Sequence, residues 1–127
     1  MKAAACWHEN GIWREGTPSE YFRDHARVIS LVGGGGKTSL MDHLARAFQA
    51  QGHRTVAMTT TRIVRPERVC DTLEACRADW AHGLYAVCGQ DAEDDKIMEP
   101  EASLLEALLI QADRILIEAD GAKKKTL

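Results

Sequence analysis

The chain has 127 residues, enough for one modest domain, and 45% hydrophobic with 28% charged residues is typical of a soluble globular protein. Its formal net charge of -3 lacks the basic excess of broad nucleic-acid binders, so we expect no nucleic-acid partner. The sequence shows neither an apolar run long enough for a membrane span nor a secretory signal pattern. We therefore expect a cytoplasmic protein without a membrane partner.

Taken in chain order, the sequence predicts an N-terminal helical segment over 1–26, with a short helix near its end, and a second unit over 27–127. In the second unit, apolar residues recur alternately at strand and helix spacing. The predicted strands are 27–32, 54–60, 84–88 and 114–117, and the predicted helices are 37–51, 66–82 and 100–112. This alternation indicates an α/β fold with a mostly parallel sheet and flanking helices.

Two further expectations concern a loop beside the predicted sheet and the edges of that sheet. Residues 89–99 are rich in acidic side chains, and we expect a solvated loop there. A four-stranded parallel sheet that ends just past its last strand would have poorly covered edges. We therefore expect the chain to be incomplete at its C-terminus.

The stretch VISLVGGGGKTSL places four glycines between the first strand of the second unit and a helix. Such a layout is that of a phosphate-binding loop, in which backbone N–H groups turn toward phosphate oxygens beside a helix N-terminus. The predicted phosphate-binding residues are Gly33, Gly34, Gly35, Gly36, Lys37, Thr38 and Ser39. Lys37 would reach the β- and γ-phosphates, and the Thr38 hydroxyl would bind Mg²⁺. Leu31 stands where the usual pattern has its first glycine, and a plain glycine-rich turn is the alternative.

A nucleotide site of this type needs an acidic residue at the end of a neighbouring strand. Glu118 follows a run of β-prone residues, and its spacing to Gly121 is that of a GTPase switch with Glu in place of Asp. Asp120 is the competing carboxylate for the metal or its water. The alternative is that both residues simply end a strand and begin a turn.

Thr60, Thr61 and Arg62 follow the second strand of the predicted parallel sheet. In open parallel sheets, ligands bind at the carboxyl ends of the strands, so these side chains are candidates for phosphate or metal contacts. Threonine is also simply a good strand residue, which is the structural alternative.

The four cysteines, Cys6, Cys70, Cys76 and Cys88, have no CxxC spacing, and we expect buried or half-buried thiols.

The segments VGGGGKTSL, TTTRI and ADRILIEADGAKKK, with Lys96 before a helix, resemble the YqeC-type selenium-dependent hydroxylase accessory proteins. The resemblance implies a P-loop NTPase-like fold, phosphate binding at residues 33–39, and metal or switch roles for Glu118 and Asp120. It also implies a partner, a selenium-dependent molybdenum hydroxylase or its maturation proteins, and a family-like position for Lys96. Thr126 stands where family members usually have a proline, and those members continue beyond it.

The resulting hypothesis is a nucleotide-binding accessory protein that uses Mg²⁺ with ATP or GTP. In it, Lys37, Glu118 and Asp120 are the catalytic residues, and Thr38, Glu118 and Asp120 hold the metal. Hydrolysis would be slow without a partner. The alternatives are a small-molecule kinase, a non-catalytic binder of a phosphate-bearing molybdopterin-type cofactor, and a degenerate fragment without a ligand.

Overall fold

A computed structural model of the chain describes residues 5–9, 12–16, 27–31 and 37–119. For residues 5–9, 12–16, 37 and 38 it describes the backbone alone. The helices are α1 (Lys37–Ala50), α2 (Leu73–Ala81) and α3 (Ala102–Gln111). The strands are β1 (Ala5–Glu9), β2 (Ile12–Gly16), β3 (Val28–Leu31), β4 (Thr55–Thr59), β5 (Ile63–Val64), β6 (Ala86–Val87), β7 (Gln90–Ala92), β8 (Lys96–Met98) and β9 (Arg114–Glu118).

The central sheet contains four parallel strands in the order β3-β9-β4-β6, which confirms the predicted α/β class with a mostly parallel sheet. The last of the described strands, β9, lies between β3 and β4. Neighbours in this sheet are therefore far apart in the chain, and their order follows from tertiary packing rather than from local pattern.

Helices cover both faces of the central sheet. On one face, α1 buries Leu44 and Phe48 against Ala57 of β4 and Leu116 of β9. On the other face, α2 and α3 pack against the residues of β4 and β9 that point away from α1. The buried residues of this second cluster include Val56, Cys76, Leu108 and Ile115. Strand side chains alternate between faces, so β4 and β9 are apolar on both, as expected for interior parallel strands.

The predicted helix over 66–82 is wrong in its first half. Helix α2 begins only at Leu73, after Thr72, whose hydroxyl accepts a hydrogen bond from the Ala75 amide. Upstream, the Cys70 amide donates to the Val87 carbonyl at 2.7 Å, and the Gly89 amide donates to the Cys70 carbonyl. Cys70 thus forms a bridge beside β6, and this pairing with a distant segment overrides the helical spacing of the apolar residues.

The predicted loop over 89–99 is also wrong, because most of it is a β-hairpin. Strands β7 and β8 pair antiparallel, and β5 adds to the other side of β8. Asp94 and Asp95 form the tip with positive φ angles of 59° and 56°, a conformation that aspartate tolerates better than most residues. The acidic side chains at this tip are exposed, as expected, while Ile97 of β8 is fully buried.

Strands β1 and β2 form an antiparallel pair with Glu9 opposite Ile12, a hairpin that our sequence interpretation did not include. A sequence signal for it was available, since Asn10-Gly11 is a strong two-residue hairpin dipeptide. The short helix expected near the end of the N-terminal segment falls in residues 17–26, outside the described residues.

Candidate functional site

Three neighbouring strands end side by side at the carboxyl edge of the central sheet. Glu118, the last residue of β9, is in register with Leu31 of β3 on one side and with Thr59 of β4 on the other. The next amides continue the ladder: Ala119 donates to the Leu31 carbonyl at 3.0 Å, and Thr60 donates to the Glu118 carbonyl at 3.1 Å. The strand that precedes the glycine loop is therefore the direct neighbour of the strand that ends in Glu118.

Alternation along the strands places Glu118 on the face that α1 covers. Leu116, two residues earlier on β9, packs among the α1 residues, and Arg114 lies over the ring of Phe48 at 4.5 Å. Since strand side chains repeat every second residue, Arg114, Leu116 and Glu118 share that face. Leu31 and Thr59 share it too, because Ile29 and Ala57, two residues before them, pack in the same cluster.

The direction of α1 brings its N-terminus to the same edge. Phe48, near the C-terminal end of α1, lies against Arg114 at the start of β9. The helix rises about 16 Å from Phe48 back to Lys37, and β9 runs about 13 Å from Arg114 to Glu118. The first turn of α1 therefore lies near the end of β9 that carries Glu118. That turn contains no acidic residue, so a carboxylate of its own does not compete for its N–H groups.

The turn after β4 is held by a buried threonine hydroxyl. Thr59 is 1% exposed, and its Oγ1 lies 3.0 Å from the Thr61 carbonyl oxygen and 3.2 Å from the Glu118 carbonyl oxygen. The Thr61 amide donates to the same Oγ1 at 3.1 Å, and the Thr61 hydroxyl lies 3.3 Å from it. This arrangement connects the turn after β4 to the end of β9.

The structure brings some of the predicted site residues together and does not describe others. Glu118, Thr60, Thr61 and Arg62 lie at the carboxyl edge, with Thr60 and Arg62 exposed and Thr61 half-buried. Ser39 is exposed in the first turn of α1, and Lys37 and Thr38 open that helix, although their side chains are outside the described residues. Gly33, Gly34, Gly35, Gly36 and Asp120 also lie outside them.

The described part of this edge offers oxygen atoms rather than a complete metal site. Within residues 5–9, 12–16, 27–31 and 37–119, no group of three or more His, Cys, Asp or Glu side chains could hold a metal ion. Glu118 supplies a carboxylate and Thr61 a hydroxyl. Mg²⁺ in nucleotide sites typically binds one or two protein oxygens with phosphate and water, so this donor set fits a nucleotide-bound Mg²⁺.

Lys96 lies in the small sheet rather than at the end of a central strand. It belongs to β8 and pairs with Val64 of β5 and with Ala92 of β7. Arg65 secures this sheet, because its amide donates to the Asp95 carbonyl at 3.0 Å and its guanidinium pairs with Asp91. Strand β5 begins directly after Arg62, so the small sheet continues from the carboxyl edge.

Three cysteines form a buried cluster on the opposite face of the central sheet. Cys70, Cys76 and Cys88 are free thiols that are at most 4% exposed, as predicted for these three; the side chain of Cys6 lies outside the described residues. The Cys76 and Cys88 sulfurs lie 3.2 Å apart, and the Cys70 thiol donates to Asp79. A hydrogen bond with Cys70 lowers the pKa of Cys76, but the hydrogen bond with Cys88 and burial outweigh it and raise that pKa to about 12. The cluster therefore belongs to the core.

A cavity of about 300 Å³ lies between the C-terminal end of α1 and the turn before β6, at the other end of α1 from Lys37. Arg46, Arg68 and Tyr85 line it. Both guanidinium groups have carboxylate partners: Arg46 pairs with Asp42 at 2.9 Å, and Arg68 lies 3.8 Å from Asp79. This cavity is separate from the site at the carboxyl edge.

Comparison with known proteins identifies relatives of the chain. The family model described as YqeC protein matches residues 29–127. A relative from Escherichia coli (strain K12), named "Uncharacterized protein YqeC", is 32% identical over 115 residues, in a match that covers 76% of this chain. The chain spans 41% of that relative's length. No solved structure matches the chain.

Among the described residues, no helix is both long and apolar enough to span a membrane.

Proposed function

Because this chain belongs to the YqeC family, and because Glu118 ends the strand next to the one that leads into the glycine loop, we propose that it binds a nucleoside triphosphate. The nucleotide is ATP or GTP together with Mg²⁺, held on a P-loop NTPase-like fold. The register of Leu31 with Glu118 is the observation that carries the proposal, since it joins two sequence motifs that are 87 positions apart.

Phosphate binding is assigned to Gly33–Gly36 and to the first turn of α1. Backbone N–H groups at a helix N-terminus point at a bound anion, and the helix dipole adds positive potential there. Lys37 would supply a cation at the β- and γ-phosphates. Position 37 is also where α1 begins, which agrees with that assignment.

Metal binding is assigned to Thr38 and Glu118, with Asp120 as the second carboxylate. When bound, Mg²⁺ neutralises charge on the phosphate oxygens and polarises the γ-phosphate. Glu118 on the α1 face would accept a hydrogen bond from a metal-bound water or bind the ion directly. Thr60, Thr61 and Arg62 lie on the neighbouring strand end, within the same edge, and Arg62 would contribute a second cation to the phosphates.

Hydrolysis, if catalysed, would depend on positioning and charge stabilisation rather than on covalent chemistry. Lys37 would stabilise developing charge on the γ-phosphate, and Glu118 or Asp120 would orient the attacking water. We propose slow turnover for the chain alone. The role in maturing a selenium-dependent molybdenum hydroxylase is a proposal that rests on family resemblance.

The first experiment is calorimetric titration of the purified chain with non-hydrolysable ATP and GTP analogues, with and without Mg²⁺. Lys37→Ala is compared with the wild type, and Lys96→Ala serves as a matched loss of charge in the small sheet. We expect one bound nucleotide, tighter binding with Mg²⁺, and loss of binding in a folded Lys37→Ala chain. Lys96→Ala should retain most of the affinity.

A cooperatively folded wild type that binds neither analogue would refute the nucleotide proposal for this chain. If binding occurs, phosphate release measured alone and with added small-molecule acceptors separates hydrolysis from phosphoryl transfer. Binding without either reaction would favour the non-catalytic alternative. The accessory role is tested by measuring molybdenum hydroxylase activity in cells that lack the protein and are complemented with wild type or Lys37→Ala.

A further inference from the structure

Thr59 is not among the residues that the sequence assigned to the site, yet its hydroxyl connects two of them. Its side chain is on the α1 face at the end of β4, in register with Glu118. At 1% exposure the hydroxyl has almost no access to solvent, and its partners are Thr61 and Glu118. Its neighbours Thr60 and Arg62, by contrast, are exposed.

The number of partners exceeds what one hydroxyl can satisfy at once. A threonine hydroxyl donates one hydrogen bond and accepts up to two. Thr59 accepts from the Thr61 amide at 3.1 Å, and its single proton lies within reach of two carbonyl oxygens, those of Thr61 and Glu118. The Thr61 hydroxyl, 3.3 Å away, can donate to the remaining lone pair of Thr59 Oγ1. Every hydrogen-bonding position of the Thr59 hydroxyl then has a partner inside the protein, which leaves it unsuited to bind a ligand directly.

We infer that Thr59 is a positioning residue that fixes the end of β9 and the turn at Thr61 relative to each other. The inference rests on the proposed Mg²⁺–nucleotide function. Mg²⁺ demands near-ideal octahedral geometry, so its binding is sensitive to small shifts of the oxygen atoms around it. Phosphate binding by the glycine loop is less dependent on this turn, because it uses backbone groups that precede and begin α1.

Replacing the hydroxyl with a methyl group affects the turn and the strand together. In Thr59→Val, the Thr61 amide loses its acceptor, and the Glu118 carbonyl retains the Thr60 amide at 3.1 Å but loses its second donor. The side chain keeps its shape. We expect the improvement of nucleotide affinity by Mg²⁺ to fall about fivefold, which corresponds to one typical hydrogen bond of about 1 kcal/mol. Affinity without Mg²⁺ should change much less.

Two further variants distinguish positioning from general stability. Thr59→Ser keeps the hydroxyl and removes a methyl group, so it should retain the Mg²⁺ effect. Thr55→Val is the matched control, since Thr55 is fully buried on the same face at the other end of β4 and its hydroxyl donates to the His53 carbonyl at 3.0 Å. It should lose stability without changing the ratio of affinities with and without Mg²⁺.

The experiment measures dissociation constants of a non-hydrolysable ATP or GTP analogue with and without Mg²⁺ for all four chains, after each is shown to melt cooperatively. If the ratio of affinities with and without Mg²⁺ falls in Thr59→Val and in none of the other chains, the inference is supported. A wild-type ratio in folded Thr59→Val, or an equal reduction in Thr55→Val, overturns the inference and leaves the proposed function standing. Absence of nucleotide binding in the wild type overturns both. If Thr59→Val does not fold, loss of the Mg²⁺ effect in Thr59→Ser would overturn the inference and its retention would support it.

Discussion

Glu118 lies directly beside Leu31, and the amide that follows Glu118 donates to the Leu31 carbonyl at 3.0 Å. Leu31 is the last described residue before the glycine stretch, and Glu118 is the last residue of β9. Glu118 therefore lies at the same edge of the sheet as the end of the strand that leads into the glycines. The predictions below test what this edge does and what holds it in place.

Glu118→Gln should weaken the dependence of nucleotide binding on Mg²⁺. The amide keeps the size of the side chain and removes the negative charge that a divalent cation prefers. We expect the affinity ratio with and without Mg²⁺ to fall about tenfold or more, measured by titration calorimetry. Glu106→Gln, at an exposed position of α3, is the charge-matched control and should behave as wild type. Equal effects in both variants would contradict a local role for Glu118.

Phe48→Ala should destabilise the fold by about 3–5 kcal/mol. Phe48 is fully buried between α1 and the sheet, and its ring lies 4.5 Å from the Arg114 guanidinium carbon. Urea denaturation followed by circular dichroism measures the loss. Ile110→Ala removes an apolar side chain that is 81% exposed, and we expect a change within about 0.5 kcal/mol. A similar loss in the two variants would show that α1 is not packed as described.

Asp113→Asn should remove a contribution to stability that depends on pH. Hydrogen bonds from the Arg54 side chain, aided by its backbone amide at 2.8 Å, hold the pKa of Asp113 below its ordinary value against the effect of burial. A carboxyl whose pKa is lower in the folded state stabilises that state at pH values above the unfolded pKa of about 3.9. This contribution to the free energy of unfolding is lost as the pH falls through the pKa of the folded state.

The measurement for Asp113 is the difference in unfolding free energy between wild type and Asp113→Asn at a series of pH values. The difference should be largest near neutral pH and shrink under acid conditions. In an Arg54→Ala background, the pH-dependent part should also shrink, because the side-chain donors are gone. A difference that grows on acidification would contradict this prediction.

Gly89→Ala should destabilise the chain by about 1–3 kcal/mol, the usual cost of overpacking. A Cβ atom at Gly89 would lie 2.8 Å from the Met98 carbonyl oxygen and 3.1 Å from the Ile97 side chain. The first of these is backbone, so β8 would have to shift. Thermal melting detects the loss, and amide exchange should rise in residues 90–98 before it rises in α1. An unchanged melting temperature would show that this close approach is absent.

The buried thiols should react slowly in the folded chain. Cys70, Cys76 and Cys88 have little exposure, and the pKa of Cys76 is about 12, so the reactive thiolate is scarce at neutral pH. In a Cys6→Ser variant, we expect an aromatic disulfide reagent to label three thiols rapidly in urea and almost none in native buffer. Rapid labelling of the folded variant would mean that the cluster opens readily.

The sequence alone determined the elements that depend on local pattern. The apolar stripe of α1 predicted a helix over 37–51, against 37–50 observed, because side chains at helical spacing must share one buried face. Gly52 and Gly83 lie just beyond the ends of α1 and α2, and both have positive φ angles, 91° and 78°, which glycine adopts without strain. The run of β-prone residues before Glu118 predicted a strand over 114–117, and the observed strand ends at Glu118.

Only the tertiary structure decided the features that depend on distant partners. The apolar spacing before Leu73 indicated a helix, but Cys70 pairs instead with the segment at Val87 and Gly89, which lies far along the chain. The hairpin at residues 90–98 carries few apolar residues, so its local pattern did not reveal strands that are stabilised by pairing with one another and with β5.

Thr59 was likewise indistinguishable from its neighbours Thr60 and Thr61 in the sequence. Insertion of β9 between β3 and β4 placed Glu118 beside Thr59 and buried its hydroxyl, since strand order is set by long-range packing that local periodicity does not encode.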